Sequence, residues 1–193
     1  MSNIGHSAAR AVASKAIDVV LKNVDKNREE GVCKLIDFMQ KYMSEEKLDV
    51  NYDKAREMVC NKDGAFNKYI NRVLDEVDPH VLKTMALNLG FEAFMYGTKT
   101  IRKNREKYDC NVPWLILMDP TSACNLHCTG CWAAEYGNRL NLTFDEMDKV
   151  VQQGKELGTY LYMFTGGEPL VRKADLIKLC EKHNDCAFLS FTN

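Results

Sequence analysis

The chain has 193 residues, 46% of them hydrophobic and 27% charged, with 26 basic residues set against 27 acidic ones. That length suits one domain or a domain with an appendage, and the composition is that of a globular protein. A net charge of −1 gives no reason to expect a nucleic-acid footprint or an attraction to an anionic membrane surface.

No apolar run approaches the ~18 residues of a membrane span. The Ala-rich N-terminus lacks the continuous apolar core of a secretory signal. Residues 1–110 read as helices only. His6 to Val24 places Ala9, Val12, Ala13, Ala16, Ile17, Val20, Leu21 and Val24 at helical spacing. Val32, Leu35, Ile36, Met39, Tyr42 and Met43 form a second amphipathic face. Asp53 to Cys60 is a short helix, and Gly64 to Val77 carries Phe66, Tyr69, Ile70, Val73 and Leu74. Pro79 suits the first turn of the next helix, where a missing N–H costs nothing. That helix is expected to run from His80 towards Tyr96, with Gly90 as a weak point. Phe91, Phe94, Met95 and Tyr96 read as core, and the basic run from Thr98 to Tyr108 as a solvated helix face or linker.

From Asn111 the pattern changes. Trp114 to Met118 is a short apolar strand bounded by Pro113 and Asp119-Pro120. Thr143-Phe-Asp-Glu146 is a capping box opening a helix with Phe144, Met147, Val150, Val151 and Leu157 on one face. Gly158 is its expected stop. Tyr160 to Phe164 is a second strand. Val171 to Lys182 is a helix with Leu176, Ile177 and Leu179 inward, and Ala187 to Phe191 is a third strand. Alternating strands and helices predict a parallel α/β sheet that binds ligands beyond the strands' C-terminal ends.

Two loops lie at such ends. Cys124, Cys128 and Cys131 crowd the loop after the first strand, and Gly166-Gly167-Glu168-Pro169 follow the second. Three thiolates at this spacing can hold three corners of a cubane iron–sulfur cluster, leaving the fourth iron open. A closed structural metal site takes four protein ligands. A zinc site completed by His127 is a competing reading, but His127 and Cys128 are adjacent and two such side chains rarely reach one tetrahedral ion. The remaining cysteines are scattered; Cys33, Cys60 and Cys180 read as small core or surface residues, Cys110 lies at the end of the first strand opposite the cluster, and Cys180 and Cys186 form a loose pair. Free thiols fit a reducing cytoplasm. His80 and His183 read as surface or helix-end residues.

The CxxxCxxC loop and the Gly-Gly-Glu-Pro turn together resemble the radical S-adenosylmethionine (radical SAM) enzymes, over residues 113–193. The resemblance implies the N-terminal part of a partial TIM-like βα barrel, with 1–110 as a helical N-terminal region and 111–193 as the first βα units. It implies a [4Fe-4S] cluster on Cys124, Cys128 and Cys131, and SAM held by Gly166, Gly167, Glu168 and Pro169. The glycines, lacking Cβ atoms, would let the backbone approach SAM, and Glu168 would accept from its cationic amino group. The implied activity is reductive cleavage of SAM to a 5′-deoxyadenosyl radical that abstracts hydrogen from a substrate. A one-electron donor such as flavodoxin or ferredoxin is the implied partner. One position departs from the family: an aromatic residue usually precedes the third cysteine, and here that place is Gly130. Either Trp132 takes over the adenine contact from another direction, or the Gly130 backbone approaches a partner; Tyr136 is a further residue of this loop that could line the site.

No residue is singled out as catalytic. Three parallel strands would leave an exposed sheet edge, so a longer protein is expected. The other readings are a non-catalytic iron–sulfur or electron-transfer module, against which the glycine turn argues, and an inert fragment whose helical region is an interaction module.

Overall fold

The computed structural model describes residues 3–23, 27–43, 50–137 and 139–193. The chain divides into two compact units, Met1–Phe91 and Glu92–Asn193. No helix among the described residues is long and apolar enough to cross a membrane.

The first unit is built from α1 (Asn3–Asn23), α2 (Arg28–Tyr42), α3 (Tyr52–Cys60), α4 (Ala65–Glu76) and α5 (Pro79–Met85). Its core includes Ala13, Ile17 and Val20 of α1, Val59 of α3, and Phe91. Val12, expected inside, is exposed, as are Phe66 and Tyr69 of α4. Helical spacing identifies a stripe but not its edges, and these residues fall on the wet edge of theirs. Val24 lies outside the described residues. Asn51 and Asp78 cap α3 and α5 through their side chains, and Pro79 takes the first helical position. Lys83 of α5 pairs with Asp18 of α1 at 2.8 Å. Cys33 and Cys60 bring their sulfurs to 3.8 Å of one another.

The helix expected from His80 to Tyr96 is instead α5 followed by a π-helix, Ala86–Gly97. Phe91, Glu92, Ala93 and Met95 are all buried, a run too dense for one stripe of a 3.6-residue helix. Over so short a span, apolar spacing does not separate i→i+4 from i→i+5 bonding. Phe94 is exposed on one side yet packs on Trp114, with ring centroids 4.8 Å apart.

The second unit continues with α6 (Thr98–Tyr108), β1 (Leu115–Met118), α7 (Phe144–Leu157), β2 (Leu161–Phe164), α8 (Lys173–Lys182) and β3 (Ala187–Ser190). The strands form one parallel sheet in the order β1-β2-β3, with Leu115 opposite Leu161 and Leu161 opposite Ala187. This is a helix-linked parallel α/β sheet, consistent with part of a βα barrel. Met147 and Val151 of α7 and Leu176 and Leu179 of α8 are buried in its core. Ile177, expected with them, is exposed. The capping box at Thr143 and Glu146 is complete, and Gly158 ends α7 in the left-handed region. The basic α6 is a true helix rather than a linker: Ile101 is buried, and the Asn104 amide donates to the last carbonyls of α7.

His183 ends α8 as expected but is buried. Its Nε2 lies 2.8 Å from Asp148 on α7, which also takes Lys182 at 2.8 Å. These contacts clamp α7 to α8.

Candidate functional site

β1 ends at Met118, and the chain then leaves on a long excursion whose neck is closed. Thr121 bridges Asn141 in antiparallel fashion, Ser122 N–H donates to Leu140 O at 2.8 Å, and Leu142 N–H donates to Pro120 O at 3.0 Å. The Arg172 guanidinium reinforces the neck by donating to the Leu142 carbonyl at 2.7 Å. Inside the excursion, Cys124 and Cys131 are half-buried and Cys128 is exposed; all three are free thiols. Cys131 N–H returns to Cys128 O at 3.1 Å, closing a turn whose third residue, Gly130, has φ of 75°. That conformation favours glycine, which is why no aromatic residue stands there. Among the described residues no three His, Cys, Asp or Glu side chains converge as a metal-binding group, His127 included.

The glycine turn after β2 is laid along this loop. Thr165 N–H donates to Met118 O at 3.0 Å, Gly167 N–H to Thr121 O at 2.9 Å, and Glu168 N–H to Ala123 O at 2.7 Å. The β1–β2 pairing therefore continues past both strand ends to the residue before Cys124. A Cβ on Gly166 would meet Asp119 Cβ at 2.8 Å, and one on Gly167 would meet Ala123 O at 2.2 Å. The room left by the missing side chains is filled by the cysteine loop itself. Close backbone approach is needed here, and the partner in contact is protein.

Glu168 is buried and uses both carboxylate oxygens. Oε1 accepts from Leu170 N–H at 2.9 Å and from the Thr192 hydroxyl at 2.8 Å, and Oε2 accepts from Asn193 N–H at 2.9 Å. Burial works to raise its pKa, but the three donors prevail and hold it below the usual glutamate value. Asn193 in turn exchanges side-chain amide hydrogen bonds with Asn125, at 3.1 and 3.2 Å, and its Nδ2 lies 3.9 Å from Cys124 Sγ. Pro169 is buried and opens a 3-10 turn, Pro169–Arg172, leading into α8. Thr192 and Asn193 were not singled out from sequence. A polar Thr-Asn pair directly after an apolar strand, at the end where both loops lie, is the signal that points to them.

Residues 118–190 match the family model described as the radical SAM superfamily. Over that segment the chain is similar to the proteins of the radical SAM superfamily. The matched segment runs from the last residue of β1 to the last residue of β3, so it contains both loops. The chain is 33% identical over 84 residues to a GTP 3′,8-cyclase of Clostridium perfringens strain 13, a span of 40% of this chain and 26% of that protein. It is 36% identical over 76 residues to a PqqA peptide cyclase of Bradyrhizobium diazoefficiens, covering 38% of this chain and 20% of the relative. A GTP 3′,8-cyclase of Tolumonas auensis is 43% identical over 61 residues, 30% of this chain and 18% of that one. The chain thus spans about a quarter or less of the length of these curated relatives. No solved structure matches the chain at comparable stringency.

Within the matched segment, Trp132 opens a 3-10 turn, Trp132–Tyr136, and meets Tyr136 edge to face at 6.1 Å between centroids. Both rings border a cavity of about 270 Å³ that Gly166 and Gly167 also line. The structure therefore splits the expected SAM contacts. Glu168 lies on the β3 side of the glycine turn with Asn193, Asn125 and Cys124. Trp132 lies across the glycines, bordering a cavity that neither Glu168 nor a cysteine lines.

Proposed function

We propose that this chain carries the cluster-binding and SAM-binding part of a radical SAM enzyme. Cys124, Cys128 and Cys131 are the three thiolate ligands of a [4Fe-4S] cluster. The donor set suits it: three free thiols on one partly exposed loop, at the C-terminal end of a parallel strand. With cluster and SAM bound, the chemistry supplied is one-electron cleavage of SAM to a 5′-deoxyadenosyl radical, which takes hydrogen from a substrate.

The chain's own part is placement. A carboxylate offers about four acceptor sites. Glu168 spends three on the turn and on β3, which leaves one for the SAM amino group. Gly166, Gly167 and Pro169 hold that carboxylate beside Cys124, while Trp132 borders the separate cavity across the glycines. In this reading residues 111–193 are the first βα units of the core, and 1–110 are a helical region in front of them. A reducing cytoplasm and a flavodoxin- or ferredoxin-like electron donor complete it. The relatives' names point to a nucleotide in one case and a peptide in another, so the likeness supports shared cofactor chemistry rather than a shared substrate.

The observation that carries the proposal is the hydrogen bond from Glu168 N–H to Ala123 O, which seats the glycine turn one residue from the first cysteine. The test is anaerobic reconstitution with iron and sulfide, followed by SAM and dithionite. Formation of 5′-deoxyadenosine and methionine is expected. A cluster that forms but never cleaves SAM would favour the electron-transfer reading instead.

A further inference from the structure

We propose that the cavity beside the cysteine loop receives a cationic nitrogen group of the substrate, an ammonium or guanidinium, with Asp119 as its counter-ion and Trp132 and Tyr136 as its aromatic wall. Calling that cation the substrate's rests on the radical SAM reading above.

Asp119 is the first residue after β1 and lines the cavity together with Trp132, Tyr136, Leu140 and the two glycines. Its Oδ1 is buried and has no hydrogen-bond partner. The other polar side chains there are already committed. The Thr121 hydroxyl donates to Asn141 Oδ1 at 2.6 Å, and the Ser122 hydroxyl donates to Gly137 O and accepts from Leu140 N–H. Among the described residues no Lys or Arg lines the cavity. Asp119 is half-buried, but an Oδ1 kept from water without a donor is costly, and burial raises the Asp119 pKa. A cation seated in the cavity beside this carboxylate lowers that cost by charge attraction.

The walls select the same ligand. Trp132 and Tyr136 are 57% and 50% exposed, so both ring systems are open to a partner. A cation held near aromatic faces is attracted to their π-clouds, most strongly by tryptophan. The volume suits a side-chain head group rather than a whole nucleotide. The cavity is bordered neither by the three cysteines nor by Glu168, which separates it from the cluster and from the proposed SAM amino contact.

The test uses 5-fluorotryptophan protein, whose two indoles, Trp114 and Trp132, give two fluorine resonances. N-acetyl-lysinamide and N-acetyl-argininamide are titrated against the neutral N-acetyl-norleucinamide and N-acetyl-citrullinamide. A saturable shift of the Trp132 resonance with at least one cationic amide is expected, at least tenfold weaker in Asp119→Asn. Tyr136→Leu, at an exposed position, should also weaken the cation response. Equal shifts from the neutral amides, or an unchanged response in Asp119→Asn, would overturn the proposal. So would a Trp132 shift produced by SAM and by none of the amides, which would assign the cavity to the cofactor. Iron content of the wild-type protein, measured alongside, reports separately on the parent reading: cation binding without iron uptake would sink that reading and leave the cation site standing.

Discussion

Asn193 gives its backbone N–H to Glu168 Oε2 at 2.9 Å, fastening the end of β3 to the turn that follows β2. The same asparagine reaches Asn125, next to Cys124, through its side chain. The buried carboxylate thereby joins the chain after β3 to the turn after β2, and the Asn193 side chain carries the link on to the cysteine loop. Glu168→Gln keeps the shape but turns an NH₂ towards donors, so a loss of about 1–3 kcal/mol is expected in urea unfolding. A neutral outcome would mean that the carboxylate does not organise these ends.

Gly167 and Gly90 form a contrasting pair. A Cβ on Gly167 would sit 2.2 Å from the Ala123 carbonyl oxygen, whereas one on Gly90 meets nothing within 4 Å. Gly167→Ala must push the glycine turn off the cysteine loop, at a cost of about 2 kcal/mol or more, with reduced iron uptake. Gly90→Ala is expected to be neutral or stabilising by up to about 1 kcal/mol. Urea midpoints of the two variants check both, and equal effects would contradict the packing described.

Asp148 links acidity to stability. Burial works to raise its pKa, but Lys182 and His183 outweigh it and hold the carboxyl below its usual value. A depressed carboxylate contributes stability above its unfolded pKa, near 3.9, and loses it as pH falls through the lower folded value. Asp148→Asn is therefore less stable than wild type at neutral pH, by about 1–3 kcal/mol. The gap should close as pH drops below about 4. Urea midpoints from pH 3 to 7 test this, and a gap that stays constant to pH 3 would contradict it.

Much of the fold follows from local chemistry, and for that reason it was legible. Thr143 and Glu146 sit three apart in front of an apolar stripe, Pro79 follows a capping Asp78, and the strands are short apolar runs between turn residues. The cysteine loop and glycine turn were legible because their chemistry is carried by adjacent residues. What escaped depends on distant partners. His183 is buried because Asp148 lies 35 positions away in sequence, and Glu168 has Asn193 because two strands are parallel. Gly130 is set by a backbone angle, and the π-helix by bonding that apolar spacing does not distinguish. Asp119 reads as an ordinary turn residue until the cavity beside it is seen.

The most direct measurement is the iron and sulfide content of anaerobically reconstituted protein, wild type beside single Ser replacements of Cys124, Cys128 and Cys131. The account predicts one [4Fe-4S] cluster per wild-type chain, with its brown colour, and loss of it in each replacement, while Cys110→Ser, outside the loop, leaves it intact. Colourless wild-type protein, or iron that survives all three loop replacements, would contradict it.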